Sequence, residues 1–167
     1  MKFSVEQPLE VPRAVAEKAM VSRSFYASMS SMGPVGTPEV LSRTEEAGGV
    51  KMAVRYRFTG TLSRPARAVL DPYKLTWVIE SFMHLNQHYA DFEMLPDYYA
   101  NRLDCSGKYR FEDKGATSVQ ALEGELTVHF PMLAGAVEKA ILMGLRQNMS
   151  EQAGLIALWA NSNNSRT

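Results

Sequence analysis

Few side chains in this sequence have the type and spacing for chemistry. Tyr56, Ser81 and Tyr109 each fall, by alternation, on the apolar side of a strand-like run, and Cys105 lies on the same side as Tyr109. Phenols there could donate hydrogen bonds to a ligand carbonyl, or act as acids if their pKa were lowered. Buried tyrosines also commonly send the hydroxyl to solvent or backbone. Cys105 beside a histidine would be a nucleophile. No histidine is placed there, so a buried structural thiol is expected. His84 and His88 flank Leu85-Asn86-Gln87, a tight-turn triplet, and are expected to face each other across a hairpin. Two histidines fall short of a closed zinc site, and Asp91 reads as off phase, so neither a metal nor a cofactor is expected. Glu123, Glu125 and His129 share the side of their strand opposite Leu122 and Leu126, a solvated face. The inner face therefore carries no carboxylate pair and no Ser–His–Asp arrangement.

The elements that position these groups are legible from periodicity. Phe3, Val5 and Leu9 alternate in a first strand, where Pro8 argues for an edge or a strand end. Pro12 suits the first turn of a short helix with Val15, Ala16, Ala19 and Met20 on one face. Ser22 is an N-cap candidate for a second short helix carrying Phe25, Tyr26 and Met29, ended by Gly33-Pro34. From 35 to 130 the pattern is β. Strands are expected over 37–47, 51–59, 75–83, 88–95, 103–111 and 117–130, with Gly48-Gly49 as a hairpin turn and a turn of helix near 66–69. The clearest alternation is Met52, Val54, Tyr56 and Phe58 against Lys51, Ala53, Arg55 and Arg57.

Residues 131–159 then read as one amphipathic helix, roughly 40 Å long. Leu133, Val137, Ile141, Leu145 and Met149 recur every fourth position, and Leu155, Ile156 and Trp159 continue the face. Pro131 and Gly135 are expected to make the sharp entry, and Glu138 to complement the helix dipole. Such a helix needs a long apolar surface. A curved antiparallel sheet of about seven strands wrapped around it supplies one, giving an α+β domain.

Composition sets the outer limits. Of 167 residues, 46% are hydrophobic and 22% charged, enough for one core. A single domain is expected over 1–160 with a polar tail over 161–167. With 18 basic against 18 acidic residues, no global field draws nucleic acid. Lys51, Arg55 and Arg57 form a basic stripe without interleaved aromatics, which again argues against nucleic acid, while contact with phosphate or an anionic membrane surface is its other reading. No apolar run approaches a membrane span. The opening MKFSVEQPLEVP has no secretory h-region, and the lone Cys105 fits a reducing cytoplasm.

Three segments carry a family resemblance: MKFSVEQPLEVPRAVAEKAM (1–20), VRYRF (54–58) and HFPMLAGAVEKAI (129–141). They resemble the DUF2505 family of uncharacterised bacterial proteins, within the START-like (SRPBCC, Bet v 1-like) superfamily of helix-grip folds. The sequence departs from the family at Ser22-Arg23-Ser24-Phe25-Tyr26, where an acidic N-cap is usual. The resemblance implies a cavity between sheet and last helix that takes a lipid-, sterol- or polyketide-like molecule. Its expected lining from the sheet is Val54, Tyr56, Phe58, Trp77, Ile79 and Phe92, then Tyr109, Phe111 and Leu126. The helix would add Val137, Ile141, Leu145 and Met149. The favoured expectation is a ligand-binding protein, monomeric or weakly dimeric. A polyketide cyclase or dehydratase using the same cavity, and a cavity-poor interaction module, are the alternatives.

Overall fold

The computed structural model describes residues 1–30 and 33–164. Strand β1 (Lys2–Leu9) leads into helices α1 (Arg13–Met20) and α2 (Arg23–Ser28). Strands β2 (Glu39–Glu46) and β3 (Gly49–Arg57) follow, then a single-turn helix α3 (Arg64–Arg67) and a 3-10 turn at Pro72–Lys74. Four further strands come next: β4 (Thr76–His84), β5 (Tyr89–Pro96), β6 (Leu103–Asp113) and β7 (Ser118–Val128). Helix α4 (Ala134–Asn164) closes the chain. Among these residues the seven strands form one antiparallel sheet in the order β1-β7-β6-β5-β4-β3-β2. Pro8 lies on an edge strand, where its missing N–H leaves no ladder bond unmade.

Period-two patterning decides the faces. Val50, Met52 and Val54 of β3 are buried, and the register sets them opposite Met83, Ser81 and Ile79 of β4. The same inner rows continue through Ala90, Phe92 and Met94 on β5 to Tyr109, Gly107 and Cys105 on β6, then to Leu122, Gly124 and Leu126 on β7. At the middle row Gly107 faces Gly124 directly. Without two Cβ atoms the strands can bend sharply there, and the Phe3 ring covers Gly124. The β2–β3 turn uses Gly48 at φ +83°, a conformation open to glycine.

Helix α4 has 31 residues, about 46 Å of length. It buries Met149, Gln152, Ile156 and Trp159, all in its C-terminal half. Trp159 meets Phe25 edge-on at 5.9 Å and donates its indole N–H to Ser24 Oγ at 3.2 Å, which clamps α2 onto α4. Burial of each large side chain here is worth about 2 kcal/mol. Tying α1 to the opposite hairpin, the buried Glu17 carboxylate meets His88 Nδ1 at 2.8 Å and Arg13 Nε at 4.0 Å. A buried carboxylate requires such partners.

Several local expectations are corrected. Helix α4 begins at Ala134, because residues 130–134 form a turn with Met132 at φ +64° and the Ala134 N–H bonded to the Phe130 carbonyl at 3.0 Å. Gly135 has open space where a Cβ would stand, so the bend is not made there. At its other end α4 runs through Asn164, into the segment read as tail, while 165–167 lie outside the described residues. His84 and His88 do not face each other. His88 lies in the turn at φ +60° and binds Glu17, whereas His84 Nε2 meets Asp91 Oδ2 at 2.8 Å. The register puts Phe82 opposite Asp91 and His84 opposite Tyr89, so Asp91 is in phase with His84 on the outer face. Ser22 precedes α2 but its hydroxyl pairs with that of Ser24 instead of capping a backbone N–H.

Candidate functional site

The inner face of the sheet is covered unevenly. One core cluster joins α1, α2 and the C-terminal half of α4 to the sheet, and includes Phe25, Met52, Val54, Tyr109, Phe111, Leu122 and Met149. A smaller cluster joins Cys105, Leu126 and Val128 to Val137 and Ile141 of the N-terminal half of α4. Phe3 and Phe92 touch both. On the β3–β4 side of the smaller cluster, Tyr56, Trp77 and Ile79 remain only half-buried. Opposite the sheet, Val137, Ile141 and Leu145 are also half-buried. Two sets of apolar side chains, one on the sheet and one on α4, thus keep part of their surface uncovered.

Three phenols lie close to one another beside these side chains. Tyr26, Tyr56 and Tyr109 come from α2, β3 and β6, and their phenols are near enough that charge on one disfavours charge on the others. Burial, reinforced by this repulsion, raises the pKa of Tyr26 and Tyr56 above the ordinary phenol value. Burial pushes Tyr109 up to about 12, with the neighbouring Ser81 hydroxyl partly offsetting it. Tyr26 donates to the Met20 carbonyl at 3.1 Å. The Tyr56 hydroxyl makes no hydrogen bond to another described residue. Its ring stacks on Trp77. Cys105 is buried, and desolvation lifts its thiol to about 11. No histidine partners it among the described residues, and no group of metal-ligating side chains forms there.

The thirteen residues read from the sequence therefore separate by environment. Val54, Tyr109, Phe111, Leu126 and Met149 are buried in the clusters. Tyr56, Trp77, Ile79, Phe92, Val137, Ile141 and Leu145 are half-buried. Phe58 stands apart, beyond the last residue of β3, with its ring by Gly60 and outside both clusters. Tyr26 was missed because it lies on a two-turn helix, where its neighbour Phe25 makes the pair read as plain core. Two surface depressions lie elsewhere, at the β2–β3 rim by Arg43 and on the outer face of β4–β6 between Lys51, Glu80 and Lys108.

A family model described as a protein of unknown function, DUF2505, matches residues 4–160. The chain belongs to this family. Solved structures share the fold of this DUF2505 protein. TTHA0849 from Thermus thermophilus superposes with a TM-score of 0.64 at 13% identity, covering 93% of this chain and 94% of its own. The Zhui aromatase/cyclase from Streptomyces sp. R1128 gives 0.63 at 12% identity, over 94% and 93%. A START superfamily protein from Mycobacterium smegmatis gives 0.59 at 8% identity, over 95% and 98%. No curated protein sequence matches the chain. The DUF2505 chain has the helix-grip, START/Bet v 1-like fold, and none of its described helices is long and apolar enough to cross a membrane.

Proposed function

We propose that this DUF2505 protein binds an apolar or amphipathic small molecule between the inner face of β3–β5 and the N-terminal half of α4. The observation that carries the reading is two sets of apolar side chains left half-exposed: Tyr56, Trp77, Ile79 and Phe92 on the sheet, and Val137, Ile141 and Leu145 on the helix. Apolar walls with a few convergent polar groups are the general form of a small-molecule site. The free Tyr56 hydroxyl supplies one such group and the Ser81–Tyr109 pair another. Raised phenol pKa values keep Tyr56 and Tyr109 protonated at neutral pH, which suits donors to a ligand carbonyl or hydroxyl. The same shifts weigh against a tyrosinate base at these two positions.

The test is native mass spectrometry of the purified protein, with extraction of whatever it carries, followed by titration with a fluorescent apolar probe. A lipid-like adduct, or saturable probe uptake weakened by Trp77→Ala and Ile141→Asn, is the expected result. A clean apo mass together with no probe uptake would overturn the reading.

A further inference from the structure

One end of the molecule is unlike the rest. The segment 58–75 between β3 and β4, the loop 97–102 between β5 and β6, and the turn 129–133 before α4 all lie at that end, because antiparallel pairing returns each connection to the same side. They are tied to one another. The Asp71 N–H donates to Tyr99 Oη at 3.0 Å, Lys74 lies over the Tyr98 ring at 5.8 Å, and the Arg102 guanidinium lies over the Phe130 ring at 5.3 Å while donating to the His129 carbonyl.

This end exposes large apolar side chains. Met132 is fully exposed, Tyr73 is 88% exposed, Tyr98 51% and Val69 44%. It is also basic. From Arg57 to Leu75 the four cations Arg57, Arg64, Arg67 and Lys74 stand against one acid, Asp71, in a chain whose total charge is zero. None of those cations makes an ion pair with a described carboxylate. Asp71 uses its side chain to accept the Tyr73 N–H at 3.0 Å.

We propose that this end docks on the surface of an anionic lipid bilayer, with Tyr73, Tyr98, Val69 and Met132 entering the headgroup region and Arg64, Arg67 and Lys74 facing lipid phosphates. Apolar residues ringed by cations are the chemistry of interfacial attachment, and tyrosine rings partition to headgroup depth. Unpaired cations without a protein counter-charge have their complement in the negative surface. The last inner row of the sheet, Tyr56 opposite Trp77, ends at this same side, so docking would bring the bilayer against the half-exposed apolar space. The inference stands without the binding reading, since it concerns the outer surface of the loops.

The experiment is co-sedimentation of the intact protein with vesicles of phosphatidylcholine alone and of phosphatidylcholine mixed with phosphatidylglycerol. Partition onto the mixed vesicles only, weakening with salt, is expected. Each removed cation should weaken it about fivefold, equivalent to about 1 kcal/mol, so Arg64→Gln/Arg67→Gln should lose roughly 25-fold. Tyr73→Ser and Met132→Ser should also release the protein, whereas Lys51→Gln on the outer face of the sheet should not. All these side chains are exposed, so circular dichroism should confirm an intact fold. Absence of partition, equal partition onto both vesicle types, or indifference to the Arg64/Arg67 change would overturn the proposal. So would a concentration-dependent dimer, lost in Tyr73→Ser, that leaves vesicles untouched. Apolar-probe uptake by free protein is measured separately, so failure of one proposal does not decide the other.

Discussion

The ring of Tyr56 lies nearly parallel to that of Trp77, with centroids 6.0 Å apart and an interplanar angle of 15°, directly opposite each other in the β3–β4 ladder. Tyr56 is partly packed against the large cluster, whereas Trp77 belongs to neither cluster and is only half-buried. The two tryptophans of the chain should therefore behave in opposite ways. Trp77→Ala should cost about 1 kcal/mol of stability and weaken apolar-probe binding about tenfold, the loss of one contact of roughly 1.5 kcal/mol. Trp159→Ala, which removes a buried ring packed on Phe25, should cost about 3 kcal/mol. In a Trp159→Phe background the remaining indole emission should respond to ligand. Unchanged emission at saturating probe would place the ligand elsewhere.

Tyr56→Phe separates the hydroxyl from the ring. The fold loses no hydrogen bond to another described residue, so stability should be unchanged. Affinity for a ligand with a carbonyl or hydroxyl should fall about fivefold, the net worth of one hydrogen bond near 1 kcal/mol. A pure hydrocarbon probe should bind as before. Equal losses for both ligand types, measured by fluorescence titration, would refute the donor role.

The sheet's curvature gives a stability prediction. A Cβ on Gly107 would overlap the Glu123 carbonyl oxygen and stand 2.7 Å from Gly124 Cα, both backbone. On Gly124 it would meet the Ser106 carbonyl oxygen and the Phe3 ring at 2.7 Å. Backbone cannot step aside as a flexible side chain can. Gly107→Ala should therefore lose about 2–3 kcal/mol in urea denaturation, and should lose probe binding with it. Gly115→Ala removes a positive φ glycine in an open turn and should cost only about 1 kcal/mol.

Much of this fold was legible because the patterns are physical. Val50 to Val54 and Cys105 to Phe111 alternate because one sheet face is buried. Leu133 to Met149 recur every fourth residue because one helix face is apolar. Periodicity states which face is apolar but not whether anything covers it. That is why the contrast between half-buried Val137, Ile141 and Leu145 and buried Met149 and Ile156 could not be read. Long-range pairings were hidden for a related reason. Nothing local to Glu17 announces His88, which is 71 positions away, and nothing around Tyr26 announces Tyr56 and Tyr109. The basic stripe also changed meaning, since Arg55 pairs with Asp97 while Arg57 joins the cations of the next loop.

That Arg55–Asp97 pair has a defined pH signature. Arg55 Nη2 and Nε donate to the two Asp97 oxygens at 3.0 and 3.2 Å, anchoring the 97–102 loop to β3. The guanidinium holds the Asp97 carboxyl below the usual carboxylate range, against a smaller upward push from burial. A depressed folded pKa stabilises above the unfolded value of about 3.9, and the contribution is lost as pH falls through the lower folded value. Asp97→Asn should thus lower the urea midpoint at about pH 7, and the difference from wild type should vanish at about pH 2. A difference that persists in acid would mean that packing, not charge, is what the substitution removes.

The buried phenols and thiol act at the other end of the pH scale. Burial lifts Tyr109 to about 12 and Cys105 to about 11, and it raises Tyr26 and Tyr56 as well. In the unfolded chain phenols ionise near about 10 and thiols near about 8.5. Between those values and the folded ones, the unfolded chain gives up protons that the folded protein keeps. The stabilisation from these four groups is fully present below about pH 8.5 and declines as pH rises towards about 12. Alkaline unfolding should begin in that window, with the phenolates of Tyr26, Tyr56 and Tyr109 forming only as the far-UV circular dichroism is lost. Tyr56→Phe should hold its fold to higher pH than wild type, because it removes one of the groups that drive the transition. Absorbance at 295 nm, compared between wild type and the three single Tyr→Phe variants, reads each phenol separately. Ionisation of Tyr56 in a still-folded protein would show that water reaches its hydroxyl freely, and would count against its role as a protonated donor to a ligand.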